Sequence, residues 1–118
     1  MIDEKLRQKT TAYATVEVET QRADRHRASA ASLLNRALNG QTSPSEPTGA
    51  LAGLASTYAE IAEEAAHGAN EAPRVLAELD DAGLLHEARK AAGQAHEYAK
   101  AARQASDELA SLAARRAS

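Results

Sequence analysis

The chain contains no cysteine, no tryptophan and no phenylalanine, and only 3 of its 118 residues are proline. Without cysteine it can form neither disulfides nor thiolate-ligated zinc sites, and it has no thiol nucleophile. No apolar run approaches the roughly 18 residues that a membrane-spanning helix needs. The first residues, MIDEKLRQK, are charged where a secretory signal peptide would be apolar, so we expect a cytoplasmic location.

Large aliphatic side chains are also scarce. Leucine, isoleucine and valine number 12, 2 and 3 among the 118 residues, whereas alanine makes up about one quarter of the chain. Alanine is the best helix former, but its burial releases little free energy, because a buried methylene is worth only about 0.8 kcal/mol. The composition therefore predicts a single all-α domain with a thin core, which would gain stability by packing against a second copy or another protein.

Apolar residues recur at alternating spacings of three and four, which is typical of amphipathic helices in a bundle. Four helices are predicted, joined by one clear loop rich in proline and hydroxyl residues. The predicted helices span about 2–38, 49–67, 71–82 and 84–116, and the loop spans 40–48. The first of these helices begins its apolar positions at Ile2.

Four residues are predicted to mark the helix ends. Gly40, after Asn39, is expected to end the first helix by adopting the left-handed backbone conformation. Thr48 and Asn70 have side chains that cap helix N-termini, so they are expected to begin the second and third helices. Gly83 is expected to separate the third helix from the fourth.

The helix lengths predict an elongated antiparallel bundle with alanine-rich, coiled-coil-like packing. At about 1.5 Å per residue, the first and last helices each extend roughly 50 Å, and the two middle helices together cover a similar distance. The first helix would run up, the second and third down, and the fourth up. This arrangement places leucines at both ends and an alanine waist between them. The alanine waist consists of Ala23, Ala62, Ala65, Ala95, Ala99 and Ala102.

The leucines near the two ends are predicted to form the contacts with a partner, which we call the leucine seam. The leucine seam consists of Leu34, Leu38, Leu51, Leu54, Leu76, Leu79 and Leu85. Substitution of Leu54 by aspartate is expected to abolish assembly. The sequence leaves open whether the alanine waist closes within one chain or only against a second copy.

Charge is distributed in blocks along the chain. Residues 1–40 carry 7 basic and 5 acidic side chains, residues 41–81 carry 1 and 8, and residues 82–118 carry 6 and 4. In the predicted bundle, three arginines of the first helix lie level with three glutamates of the second. These are Arg22, Arg25 and Arg27, and Glu60, Glu63 and Glu64. One interpretation is charge matching that fixes which helices are neighbours.

Two alternatives use the same charges for binding. Arg22, Arg25 and Arg27 could neutralise nucleic-acid phosphates without reading bases, as in a small accessory protein. The acidic middle segment could instead dock a basic partner.

Two short patterns could carry chemistry. Glu64 and His67 have the i, i+3 spacing of ferritin-like di-iron helices, with Glu19 and His26 of the first helix as further candidates. Only one such motif is present, so a symmetric dimer would have to supply the second. His67 also precedes a helix-ending glycine, where a histidine serves the helix C-terminus electrostatically.

The second pattern pairs Arg89 with His96, which resembles the Arg-x4-6-His motif of HEPN ribonucleases, a family of small helical dimers. The resemblance implies that these two residues would act in RNA cleavage, which an RNA cleavage assay would test. The polar residue that usually follows the arginine is Lys90 here. The alternative is a solvated helix surface.

The favoured hypothesis is a small, non-enzymatic helical protein that binds another protein or itself, most simply as a homodimer. No catalytic residue, metal or cofactor is predicted. Alanine richness and an excess of arginine over lysine favour a bacterium, or its phage or plasmid, as the source. A nucleic-acid accessory protein is the alternative, followed by a HEPN-like ribonuclease or a ferritin-like metal protein.

Overall fold

The computed structural model describes residues 3–117 and confirms the predicted all-helical bundle. No strand occurs among the described residues, which form an elongated body of 64 × 21 × 17 Å. The helices are α1 (Glu4–Leu38), α2 (Thr48–Ala69), α3 (Glu71–Glu78) and α4 (Ala82–Ala117). Within this part of the chain, no helix combines the length and apolarity that crossing a membrane requires. Ile2 and the predicted helix start at residue 2 lie outside the described residues.

The helices α1 and α4 run parallel and in register. Three contacts of α1 with α4, or with the residue just before it, join residues that are 71 or 72 positions apart in the chain. These pairs are Lys9 with Asp81, Thr20 with Ala91, and Arg27 with Tyr98. Because this offset is constant, a residue further along α1 contacts a residue equally further along α4, which is possible only if the two helices run parallel. Helix α2 runs antiparallel to α4, because Glu63 pairs with Arg103 while the later Asn70 pairs with the earlier His96.

The centre of the bundle is built almost entirely of alanine. Of the 22 buried hydrophobic residues in the described part of the chain, 17 are alanines, including all six residues of the alanine waist. The larger buried residues are Val16, Leu33, Leu51, Leu76 and Leu109. Because a methyl group projects so little, the helix backbones can approach closely enough to exclude water between them. The alanine waist therefore closes within one chain.

The predicted stop after α1 is confirmed as a Schellman motif. Gly40 has a φ of 71°, in the left-handed region that favours glycine. Its amide donates to the carbonyl oxygen of Ala37 at 3.2 Å, and the amide of Gln41 donates to that of Arg36 at 2.8 Å. These bonds satisfy two of the carbonyl groups that a helix end leaves without partners.

The end of α3 uses the same motif without glycine. Asp80 has a φ of 56°, and its amide donates to the carbonyl oxygen of Ala77. The amide of Asp81 donates to that of Leu76 at 3.5 Å. The prediction that Gly83 separates the last two helices is wrong, because Gly83 lies in the first turn of α4. Aspartate is one of the few residues that tolerate the left-handed conformation, so it can replace glycine here.

Neither predicted N-cap side chain forms a cap hydrogen bond, because tertiary contacts occupy both side chains. Pro47 is the N-cap of α2, and the hydroxyl of Thr48 accepts from the guanidinium of Arg116 at 2.8 Å. Arg116 also donates to the carbonyl oxygen of Ala37 at 2.9 Å, so it ties the loop end of the bundle together. Asn70 occupies the N-cap position of α3, as predicted, but its side chain makes no cap bond there and hydrogen-bonds to α4 instead.

The start of α4 is fixed by Asp81. Its carboxylate accepts from the amide of Leu84 at 3.0 Å and lies 3.2 Å from Nζ of Lys9 on α1. The amide hydrogen bond, and next to it Lys9, lower the pKa of Asp81 below its ordinary value. Because the folded pKa is the lower one, the ionised carboxylate stabilises the fold above the ordinary aspartate pKa of about 4. This contribution is lost as the pH falls through the lowered value.

We expect Asp81→Asn to weaken the dependence of stability on pH in the acid range. Asparagine can keep the cap but carries no charge for Lys9, so the thermal midpoint should fall less between neutral pH and about pH 3 than in the wild type. Circular dichroism during heating measures both midpoints. Asp80→Asn is the matched control, since it removes the same charge one residue away and suits the positive φ. Equal effects of the two substitutions would contradict the role of Asp81.

Candidate functional site

The arginine cluster predicted on α1 is largely neutralised within the chain. Arg22 lies 3.8 Å from the carboxylate of Glu64 on α2, and Arg27 donates two hydrogen bonds to Asp24. Arg25 is exposed. The contact between Arg22 and Glu64 agrees with charge matching between neighbouring helices. A phosphate at this cluster would have to compete with those carboxylates.

A second interhelical pair lies on the other side of α2. Arg103 on α4 donates two hydrogen bonds to Glu63, at 3.2 and 2.6 Å. The hydrogen bond to Glu63 raises the pKa of Arg103 above its ordinary value. Such exposed pairs contribute only about 0–1 kcal/mol each, so they set the register of the helices more than their stability.

Of the four candidate di-iron ligands, the structure brings only Glu19 and Glu64 near each other, because both carboxylates lie against Arg22, at 3.5 and 3.8 Å. Glu64 faces Arg22, while His26 packs on Tyr58 with ring centroids 5.8 Å apart. Nδ1 of His26 donates to the carbonyl oxygen of Arg22 at 2.8 Å, and His67 is exposed. Across residues 3–117, no three histidine, aspartate or glutamate side chains are placed to share a metal ion.

The pair that resembles the HEPN motif lies on one side of α4. Arg89 and His96 are seven residues apart, or about 10 Å along the helix, and both are exposed. Nε2 of His96 donates to the side-chain oxygen of Asn70 at 2.9 Å. Because Asn70 lies at the junction of α2 and α3, this bond holds that junction against α4. Lys100 and Arg103 follow His96 along a shallow groove of about 430 Å³.

The seven residues of the leucine seam divide between core and surface. Leu51 and Leu76 are 2% and 0% exposed, so both stabilise the folded chain itself and offer no surface to a partner. Three others are half-buried, namely Leu34, Leu79 and Leu85. Leu38 and Leu54 are 58% and 43% exposed. The available surface of the leucine seam is therefore concentrated at Leu38 and Leu54, near the loop.

Leu38 belongs to a groove of about 400 Å³ between α1 and α4, which we call the loop-end patch. Its apolar centre is formed by Leu34, Leu38 and Leu112, and its charged rim by Asp107, Glu108 and Arg115. Leu54, on α2, lies on the other side of α1. It is one helical turn before Tyr58 and so shares its side of α2, and the ring of Tyr58 contacts His26 of α1. The two exposed leucines therefore face different grooves.

A larger groove of about 520 Å³ lies at the opposite end, between α1 and α3. Its walls include Ala12, Ala72, Val75 and Leu79. Glu4 and Glu71 on its rim pair with arginines of their own helices, Arg7 and Arg74. This groove contains Leu79 of the leucine seam, but its rim charges are largely satisfied locally.

The charged rim of the loop-end patch is not among the residues predicted from the sequence. Glu108, Leu112 and Arg115 are spaced by four and three, so an acidic, an apolar and a basic residue share one side of α4. This spacing is the sequence signal that could have indicated the rim. No protein-family model matches the chain, and searches of curated proteins and of solved structures find no match either.

Proposed function

We propose that the protein is a non-enzymatic helical interaction module that assembles through its loop end, with a second copy of itself as the partner. One observation carries the proposal. The chain buries its alanine core completely, yet leaves Leu38 and Leu54, 58% and 43% exposed, at the surface near the loop. Leu38 continues into the half-buried Leu34 and Leu112, and contiguous apolar surface of this kind marks contact sites.

The thin core gives assembly a thermodynamic benefit. A partner that binds only the folded state stabilises it by mass action, by about 2.7 kcal/mol when present at 100 times its dissociation constant. The alanine-rich composition supports a bacterial source, and we propose a cytoplasmic location with it. Both belong to this proposal.

The test is the molar mass in solution over a concentration series, measured by light scattering for the wild type, Leu38→Asp and Leu54→Asp. We expect the wild type to exceed the monomer mass of 12.4 kDa and to fall toward it on dilution. At least one substitution should give the monomer mass with unchanged helical circular dichroism, because each site is exposed and tolerates a polar residue.

Val18→Asp is the matched control. Val18 is 57% exposed on α1 but lies about 30 Å along the helix from Leu38, so its substitution should leave the mass unchanged. A wild-type chain that stays at 12.4 kDa at every concentration, and that also captures no protein from its native host, would contradict the proposed function.

A further inference from the structure

We infer that the loop-end patch is the two-fold interface of a homodimer in which α4 packs antiparallel against α4 of a second copy. The inference rests on the proposed self-assembly and specifies its surface, partner and orientation.

The order of residues along α4 is self-complementary. Glu108, Ser111, Leu112 and Arg115 are separated by three or four positions, so they share one side of the helix. Glu108 and Arg115 are equally distant from the midpoint between Ser111 and Leu112. A two-fold axis through that midpoint places Glu108 of one copy opposite the partner's Arg115. The reverse pair forms at the same time, so each dimer contains two such pairs.

The same axis also suits the apolar centre of the patch. Leu112 would face the partner's Ser111, a smaller and exposed side chain that leaves room for it. Because α1 runs parallel to α4 with an offset of 71 or 72 residues, Leu38 lies level with residues 109–110, close to the axis. The Leu38 side chains of both copies would therefore flank the axis and lose their exposure to water.

The mixture of charges favours a second copy over a partner of one charge sign. A nucleic acid would meet Asp107 and Glu108 in the patch, and an acidic rim of this kind repels phosphates. A basic helix would meet Arg115. Parallel packing of two copies would place like charges together, whereas antiparallel packing places each charge opposite its complement.

Charge exchange tests this arrangement. Glu108→Arg alone places four arginines around the axis, and Arg115→Glu alone gathers carboxylates there, so each should raise the dimer dissociation constant about tenfold or more. The double variant Glu108→Arg/Arg115→Glu restores both opposite-charge pairs and should recover most of the affinity. Sedimentation measurements over a concentration series give these constants, and circular dichroism verifies that each variant is folded.

Glu97→Arg is the matched control, because it makes the same charge change at an exposed position of α4 outside the patch. Its dissociation constant should equal that of the wild type. If the double variant fails to recover, or Glu97→Arg weakens the dimer as much as Glu108→Arg, the inferred interface is wrong while self-assembly stands. A wild type that never dimerises but binds another protein through Leu38 or Leu54 overturns the inference and leaves the interaction module in place.

Discussion

Truncation of Leu76 to alanine is expected to lower the free energy of unfolding by about 2–5 kcal/mol. Leu76 is fully buried in α3 and is among the largest side chains that are. Among residues 3–117, only five buried hydrophobic residues are larger than alanine, so each of them supplies a large share of the core contacts. Small domains have only about 5–15 kcal/mol of total stability, and the loss should therefore shift the unfolding midpoint strongly.

Urea unfolding followed by circular dichroism, at two protein concentrations, separates this loss from any change in self-association. Leu6→Ala is the control, because Leu6 is 59% exposed and its truncation should cost about 0.5 kcal/mol or less. The sequence predicts Leu76 as a partner contact, whereas the structure buries it within the chain. If the sequence interpretation holds, Leu76→Ala will weaken assembly and leave the unfolding of the monomer unchanged.

Enlargement of a buried residue of the alanine waist tests how closely the helices pack. We expect Ala95→Leu to destabilise the fold by about 1–3 kcal/mol, because Ala95 is fully buried and the added carbons would force the close-packed helices apart.

The same unfolding measurement applies to Ala110→Leu, which adds the same atoms at an exposed position of α4 and should be close to neutral. A stabilised Ala95→Leu variant would show that the waist contains space for a larger side chain, contrary to the close approach of its helices.

The long periodic segments made the fold predictable from the sequence. On α4, the alanines predicted for the waist are indeed buried, as at Ala95, Ala99 and Ala102. On α2 the sequence places Leu54 in the same seam as Leu51, whereas the structure exposes Leu54 and buries Leu51. In a bundle packed this closely, the smallest side chains occupy the axis and the larger ones fill the edges. The core of α2 accordingly includes Ala55, Ala59 and Ala62.

The candidate site was less predictable, for a related reason. Alanine occurs on several sides of each helix, so a small rotation decides whether a leucine is buried or exposed. That rotation is what separates the buried Leu51 from the exposed Leu54, although both lie in the predicted leucine seam. The partners of Arg27 and His96 likewise depend on side-chain geometry that periodicity does not encode. The position of Asp80 in the left-handed region needed the complete α3–α4 turn to be recognised.

The alanine core also bears on how the protein responds to temperature. Unfolding of an alanine-lined interior hydrates less apolar area per residue than unfolding of one filled with leucine and phenylalanine. The heat-capacity increment should therefore fall below the usual value of about 12–15 cal/mol/K per residue. A smaller increment gives a shallower curve of free energy against temperature. A modest maximum of stability would then extend over a broad range, with cold denaturation displaced to lower temperatures.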